Sequence, residues 1–178
     1  MKKIFFLFFC LSVFTSHAQN GYDITINLKN CKDTLAYLTF YQFDKTLIKD
    51  TCTTIKNGKI VFTGKTKLNK GVYSLVSQQK TIYFDFFVDD TNQKLEFNSE
   101  IGANIVNNLT AVNSITHNNF FDYIKKLNKE GTDFQSSKQN LNIKVKSDSL
   151  QILAKQRDFE LKVLNLEEDF IAKNKGTF

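Results

Sequence analysis

Proline and tryptophan are both absent from the 178 residues, arginine occurs once, at Arg157, and only seven glycines, three cysteines and two histidines are present. Each shortage closes an option. Without proline, and with no Ser/Gly-rich run, no linker divides the chain. A chain of this length buries one core, or one core with an attached helical unit. A single arginine leaves little for the guanidinium forks that read phosphates and base edges, so nucleic acid is not an expected partner. The glycines carry no phosphate-binding signature, and nucleotide binding has no support. Beyond the N-terminal region no apolar run approaches the roughly 20 residues of a membrane-spanning helix, so none is expected in the mature chain.

What is present begins with a leader. Lys2 and Lys3 form a positive n-region, Ile4 to Phe14 an apolar h-region, and Ser16-His17-Ala18 a small-residue cleavage site before Gln19. Residues 1–18 are expected to be a cleaved signal peptide, and the mature protein to be exported to the periplasm or cell envelope. Bulky Phe8 and Phe9 precede Cys10 where a lipoprotein site wants small residues. Cleavage removes Cys10 and His17 and leaves Cys31, Cys52 and His117. Loss of the two leader lysines also lowers the net charge from +6 to +4, which reads as a Lys-rich solvated surface.

Residues 22–98 consist of short β-branched and aromatic runs separated by turn residues, the signature of an all-β unit. Strands are expected at 22–28, 35–41, 47–55, 59–63, 71–77, 81–88 and 94–98, giving an antiparallel β-sandwich of about seven or eight short strands. Asn57-Gly58 is the strongest hairpin signal, since both residues tolerate the positive φ of a type I′ turn. In "TIYFDFFVDD", Ile82, Phe84, Phe86 and Val88 fall on one strand face and are assigned to a core packed mainly by Phe, Leu and Ile.

The pattern changes after Asn98. In "NNFFDYIKKLNKE" Phe120, Ile124 and Leu127 recur at helical spacing, with Asn118 or Asn119 as the expected N-cap and Gly131 as the expected end. In residues 147–175 the apolar positions Ile152, Phe159, Val163, Leu166 and Phe170 form a near-coiled-coil seam, with Ser147 and Asp148 at its start and Lys173, Lys175 and Gly176 at its end. The expectation is a helical hairpin or a long amphipathic helix of roughly 40 Å. Its seam needs a partner: the preceding helix, a second copy of the chain, or a further domain. This places a β-sandwich at 19–117 and a helical spacer at 118–178.

Little in the mature chain carries chemistry. Cys31 and Cys52 are too far apart for Cys-X-X-Cys geometry, and three readings stay open: small buried residues, a structural disulfide, or a redox pair. A disulfide closing that loop of about 22 residues would contribute roughly 3 kcal/mol in the chain-entropy view. A hairpin turning at Phe43-Asp44 would set Cys52 opposite Leu35 and leave Cys31 beyond easy reach. His117, in an Asn-rich connection, reads as an exposed loop residue rather than the base of a Cys-His nucleophile. The Cys and His residues do not make a zinc set, and Asp89-Asp90-Thr91-Asn92 reads as a turn rather than a calcium loop. No catalytic residue, metal or cofactor is expected. In the repeated Lys-Asp-Thr, Asp33 suits an Asx-type turn, whereas Asp50 within a strand marks an edge or bulge, or bonds to a neighbouring module.

The ordered motifs resemble a known family: "ITINLKNCKDTLAYLTFYQFDKTLIKDTCTTIKNGKIVFTG", then "KGVYSLV", then "YFDFFVDDTNQKLEF", then Ser114 with "NNFFDYI". Residues 22–127 resemble a domain of unknown function of exported bacterial proteins that precedes a thioredoxin-like thiol-disulfide oxidoreductase module of the TlpA type. The family pattern has an ordinary small residue where Cys52 stands. The resemblance implies that redox chemistry belongs to a Cys-X-X-Cys in that module, which this chain does not contain. It therefore implies a non-catalytic accessory domain that positions or dimerises a redox module, with its own module or a second copy as protein partner. The alternative is a stand-alone envelope binding or scaffold protein that uses its sandwich and interaction helix.

Overall fold

The computed structural model describes residues 21–176; the expected signal peptide lies outside the described residues. Eight strands form two four-stranded sheets, followed by two helices. The strands are β1 (Tyr22–Lys29), β2 (Ala36–Gln42), β3 (Lys45–Cys52), β4 (Lys59–Gly64), β5 (Gly71–Ser77), β6 (Ile82–Val88), β7 (Lys94–Glu100) and β8 (Thr110–Ala111). One sheet has the order β4-β1-β7-β8 and the other β3-β2-β5-β6. The expected sandwich followed by a helical hairpin is what the chain forms.

Alternation explains the layering. Along β1, Ile24, Ile26 and Leu28 point inward; along β6, Phe84, Phe86 and Val88 do so. Phe97 of β7 meets Phe86 across the inter-sheet gap at 4.9 Å between ring centroids, and Phe84 at 5.8 Å edge-on. Offset and edge-on geometries of this kind add to the area term for aromatic pairs. Of the β6 set assigned to the core, Ile82 is the exception, being exposed at the start of its strand.

Three local departures have physical causes. First, β1 and β7 run parallel, with Ile24 beside Leu95 and Ile26 beside Phe97. The chain crosses from the β6 sheet to the other and enters it alongside β1 in the same direction. Second, Asn57 and Gly58 do adopt positive φ, 52° and 74°, and Lys59 N–H bonds Lys56 C=O at 3.0 Å. Yet the turn does not close a hairpin between its flanking strands, because β3 pairs with β2 and β4 with β1. Gly58 is required there: its carbonyl accepts from Leu28 N–H, and a Cβ would lie 2.1 Å from Leu28 O.

Third, the β2–β3 register slips by one between Leu38 and Thr39, so that Lys49 bulges and Cys52 pairs with Ala36 rather than Leu35. Asp50 sits at that bulge on an edge strand, and its carboxylate accepts a 2.8 Å bond from the Tyr22 hydroxyl of the opposite sheet. Asp33 makes no Asx turn. It accepts from Tyr83 Oη at 2.9 Å and from Gln78 N–H at 3.2 Å, which ties the β1–β2 connection to the β5–β6 hairpin. The two copies of Lys-Asp-Thr thus each anchor a tyrosine.

A short 3-10 turn, Ile105–Asn108, leads into β8 and then α1 (Ile115–Ser137) and α2 (Lys146–Lys173). α1 starts earlier than the sequence suggests, with Ser114 as N-cap. Asn118 is engaged elsewhere. Its side-chain amide donates to Ala111 C=O at 2.9 Å and accepts from Ala111 N–H at 2.8 Å, extending the β8 ladder onto the helix. Gly131 does not end α1 but lies within it. At the start of α2, Val145 is the N-cap without a side-chain bond, and Asp148 accepts from Asn142 N–H in the preceding loop at 3.0 Å. The expected boundary at 117/118 falls inside α1, whose first turns belong to the sandwich core through Phe121.

Candidate interaction surface

The two cysteines among the described residues are free thiols, Cys31 half-buried and Cys52 buried. Burial pushes the Cys31 thiol above its ordinary value, opposed by the Asp33 backbone N–H and reinforced by the Asp33 charge. Cys52 directs its sulfur at Thr54 C=O, 3.7 Å away. Neither lies at a helix N-terminus, one of the settings that favour the reactive thiolate. Tyr83, next to Cys31, has its hydroxyl pKa raised by burial first and by the bond to Asp33 second, so it stays protonated as a donor.

His117 is not an exposed loop residue. It lies in the first turn of α1, 4% exposed, with its ring stacked on Phe87 at 3.9 Å and 4° between planes. Nε2 lies 2.8 Å from Phe87 C=O and Nδ1 2.7 Å from Ser114 Oγ. A carbonyl only accepts, so the proton sits on Nε2 and Nδ1 accepts from Ser114. Burial depresses its pKa, against the Phe87 carbonyl and the Asp89 charge. The sequence missed this because the helix is capped at Ser114, four or five residues before the expected Asn118 or Asn119, which moves His117 from connection to core. Asp89 forms the expected turn, accepting from Thr91 N–H, Thr91 Oγ1 and Asn92 N–H. Among the described residues no group of three or more His, Cys, Asp or Glu side chains could hold a metal ion, and no helix is long and apolar enough to cross a membrane.

What the fold does build is the hairpin. All five seam residues, Ile152, Phe159, Val163, Leu166 and Phe170, are half-buried on one face of α2. Phe159 stacks on Phe134 of α1 at 4.8 Å and 10°, and Phe170 on Tyr123 at 4.5 Å and 17°. Lys162 bridges to Glu130 at 3.6 Å, and Asn119 of α1 bonds Asn174 beyond α2 at 3.4 Å. Of the three alternative partners for the seam, the preceding helix is the one in place. A cleft of about 260 Å³ remains between the helices near the sandwich, with Asp122, Lys126, Asp169 and Lys173 around it.

Two apolar surfaces stay uncovered in the described chain. One is edge strand β3, where Leu47 and Ile48 are exposed and Phe43, in the preceding turn, is 98% exposed. The other is the opposite face of α2, where Leu150, Leu153, Leu161, Leu164 and Ile171 are exposed.

These features define a class: a two-sheet β-sandwich that carries an antiparallel helical hairpin, with groups of exposed apolar residues on a strand edge and on a helix face. The chain belongs to the family described as Domain of unknown function (DUF4369), whose sequence profile matches residues 22–120. That span covers the sandwich and ends in the first turns of α1. No curated protein and no solved structure matches the chain.

Proposed function

We propose that this chain is a non-catalytic accessory domain of an exported thioredoxin-like thiol-disulfide oxidoreductase of the TlpA type. Its sandwich and hairpin position the redox module and present it to substrate proteins in the periplasm or cell envelope. The observation that carries this reading is the state of the two thiols within a domain of this family. Cys31 is held protonated by burial and Cys52 is enclosed in the sandwich. Exchange needs an accessible thiolate, so electrons would pass through a Cys-X-X-Cys pair in the attached module, with Cys31 and Cys52 as structural residues. The leader at 1–18 supports delivery to an oxidising compartment.

Two measurements test the proposal. Reading the locus beyond the codon for Phe178 is expected to reveal an in-frame thioredoxin module with Cys-X-X-Cys. A stop codon directly after Phe178 overturns the assignment and leaves the stand-alone envelope scaffold in its place. N-terminal sequencing of the exported protein is expected to begin at Gln19; an intact Met1 would remove the compartment on which the redox role depends.

A further inference from the structure

α2 carries a second apolar stripe that the hairpin does not use. At 3.6 residues per turn, Leu150 and Leu161 lie about half a turn around the helix from Phe159 and Phe170, and Leu164 and Ile171 roughly a third of a turn. Leu150, Arg157, Leu164 and Ile171 recur every seven residues, and Ala154, Leu161 and Glu168 interleave at steps of four and three. That is a coiled-coil seam interrupted by two charges of opposite sign. All its large apolar members are exposed, as are Arg157 and Glu168.

We propose that this stripe is a self-association surface on which α2 packs antiparallel against α2 of a second copy, about a two-fold axis between Leu161 and Leu164. The charges select the occupant and the direction. Arg157 and Glu168 are equidistant from that axis. One antiparallel register therefore pairs Arg157 of each copy with Glu168 of the other, while Leu161 meets Leu164 and Ala154 meets Ile171. A parallel in-register pair would set Arg157 against Arg157 and Glu168 against Glu168, and like charges facing each other are disfavoured. Sliding the antiparallel pair by one heptad places Arg157 against Leu161 or Lys175 and loses both ion pairs. The only arginine in the chain thus stands where one interhelical position needs a cation. Glu160 and Glu167 flank the seam and meet at its solvent edge in this register, a like-charge contact that a lysine at 160 would convert into attraction. None of this depends on an attached redox module.

Sedimentation equilibrium of the mature chain over a concentration series tests the arrangement. The expected result is a reversible dimer. Leu164→Asp should give a monomer with unchanged helical circular dichroism, since the residue is exposed in the single chain. Arg157→Glu should weaken the dimer by about tenfold or more, and the double exchange Arg157→Glu with Glu168→Arg should restore it. Glu160→Lys should tighten it. A wild-type chain that stays monomeric at high concentration overturns the proposal. So does a double exchange no tighter than Arg157→Glu alone, because a parallel dimer keeps like charges opposed in both variants.

Discussion

His117 ties α1 to β6 through one neutral imidazole, and its protonation links acidity to stability. Its pKa is depressed in the folded chain and returns to an ordinary value of about 6.5 on unfolding. Below that value the unfolded chain takes up the proton more readily, so this contribution is fully present above about pH 6.5 and is lost as pH falls through the depressed folded value. Urea midpoints between pH 7.5 and 5 should therefore decline for the wild type and decline less for His117→Gln, which starts lower because the stacking on Phe87 is gone. Equal slopes would place the acid sensitivity elsewhere. Asp89 acts in a separate, lower window. Burial opposes its ionisation, but bonds from Thr91 and Asn92 prevail and hold its pKa below 3.8, so its contribution is present above that value and fades below it. Phe43 is a second single-residue case, a bulky side chain at φ 55° with its ring in solvent. Asparagine tolerates that left-handed conformation with less strain, and Phe43→Asn should raise stability by about 0.5–1 kcal/mol in urea unfolding. A loss would show that the ring has a partner.

At the level of elements, the hairpin depends on two aromatic stacks. Phe159→Asp places a charge against Phe134 and removes one of them. The expected result is a loss of helical ellipticity with the sandwich intact, at a cost of about 3 kcal/mol or more to the hairpin. Retained ellipticity would mean that α2 is held by something other than α1. The strands were legible in the sequence because alternation with period two and turn residues at their ends act locally. Their ranges agree with β1 to β7 to a residue or two, except at β3, whose ends lie two or three residues earlier; the two-residue β8 was not among them. Pairing was less legible. The slip at Lys49 pairs Cys52 with Ala36 instead of Leu35, and beside it Asp50 bonds Tyr22 on the other sheet, a contact 28 residues away in sequence that no local pattern carries. Helix ends misled for a related reason. Asn118 has the chemistry of a cap, but a pairing with Ala111 backbone uses both its polar atoms, and Ser114 takes the cap. Gly131 has the conformational freedom of a terminator, but the α1–α2 contact carries the helix through it. The seam of α2 was readable as an apolar period; that its partner is α1 required the three-dimensional fold.

Across the whole molecule, burial falls off from one end to the other. The fully buried large side chains run from Ile24 to Phe121, while α2 contributes no buried residue within its helical span and only Asn174 just beyond it. A segment opens locally when little apolar area is lost by opening it. Hydrogen exchange should therefore proceed in an order fixed by this gradient. Amides of β1, β5 and β7 would exchange last, with global unfolding; the first turns of α1, held by Phe121, His117 and the Asn118 pairing, would follow closely. The far end of α1 and the start of α2, joined by an exposed loop with Ile143 and Val145 in solvent, would exchange first. Self-association through the outer face of α2 adds a signature of its own, because protection of residues 150–171 would then rise with protein concentration while that of β5 would not. If the hairpin tip proved as slow as β5 in a dilute monomer, sandwich and hairpin would be one cooperative unit. The helices would then be a rigid arm fixed to the sandwich, rather than a spacer able to open and re-form independently of it.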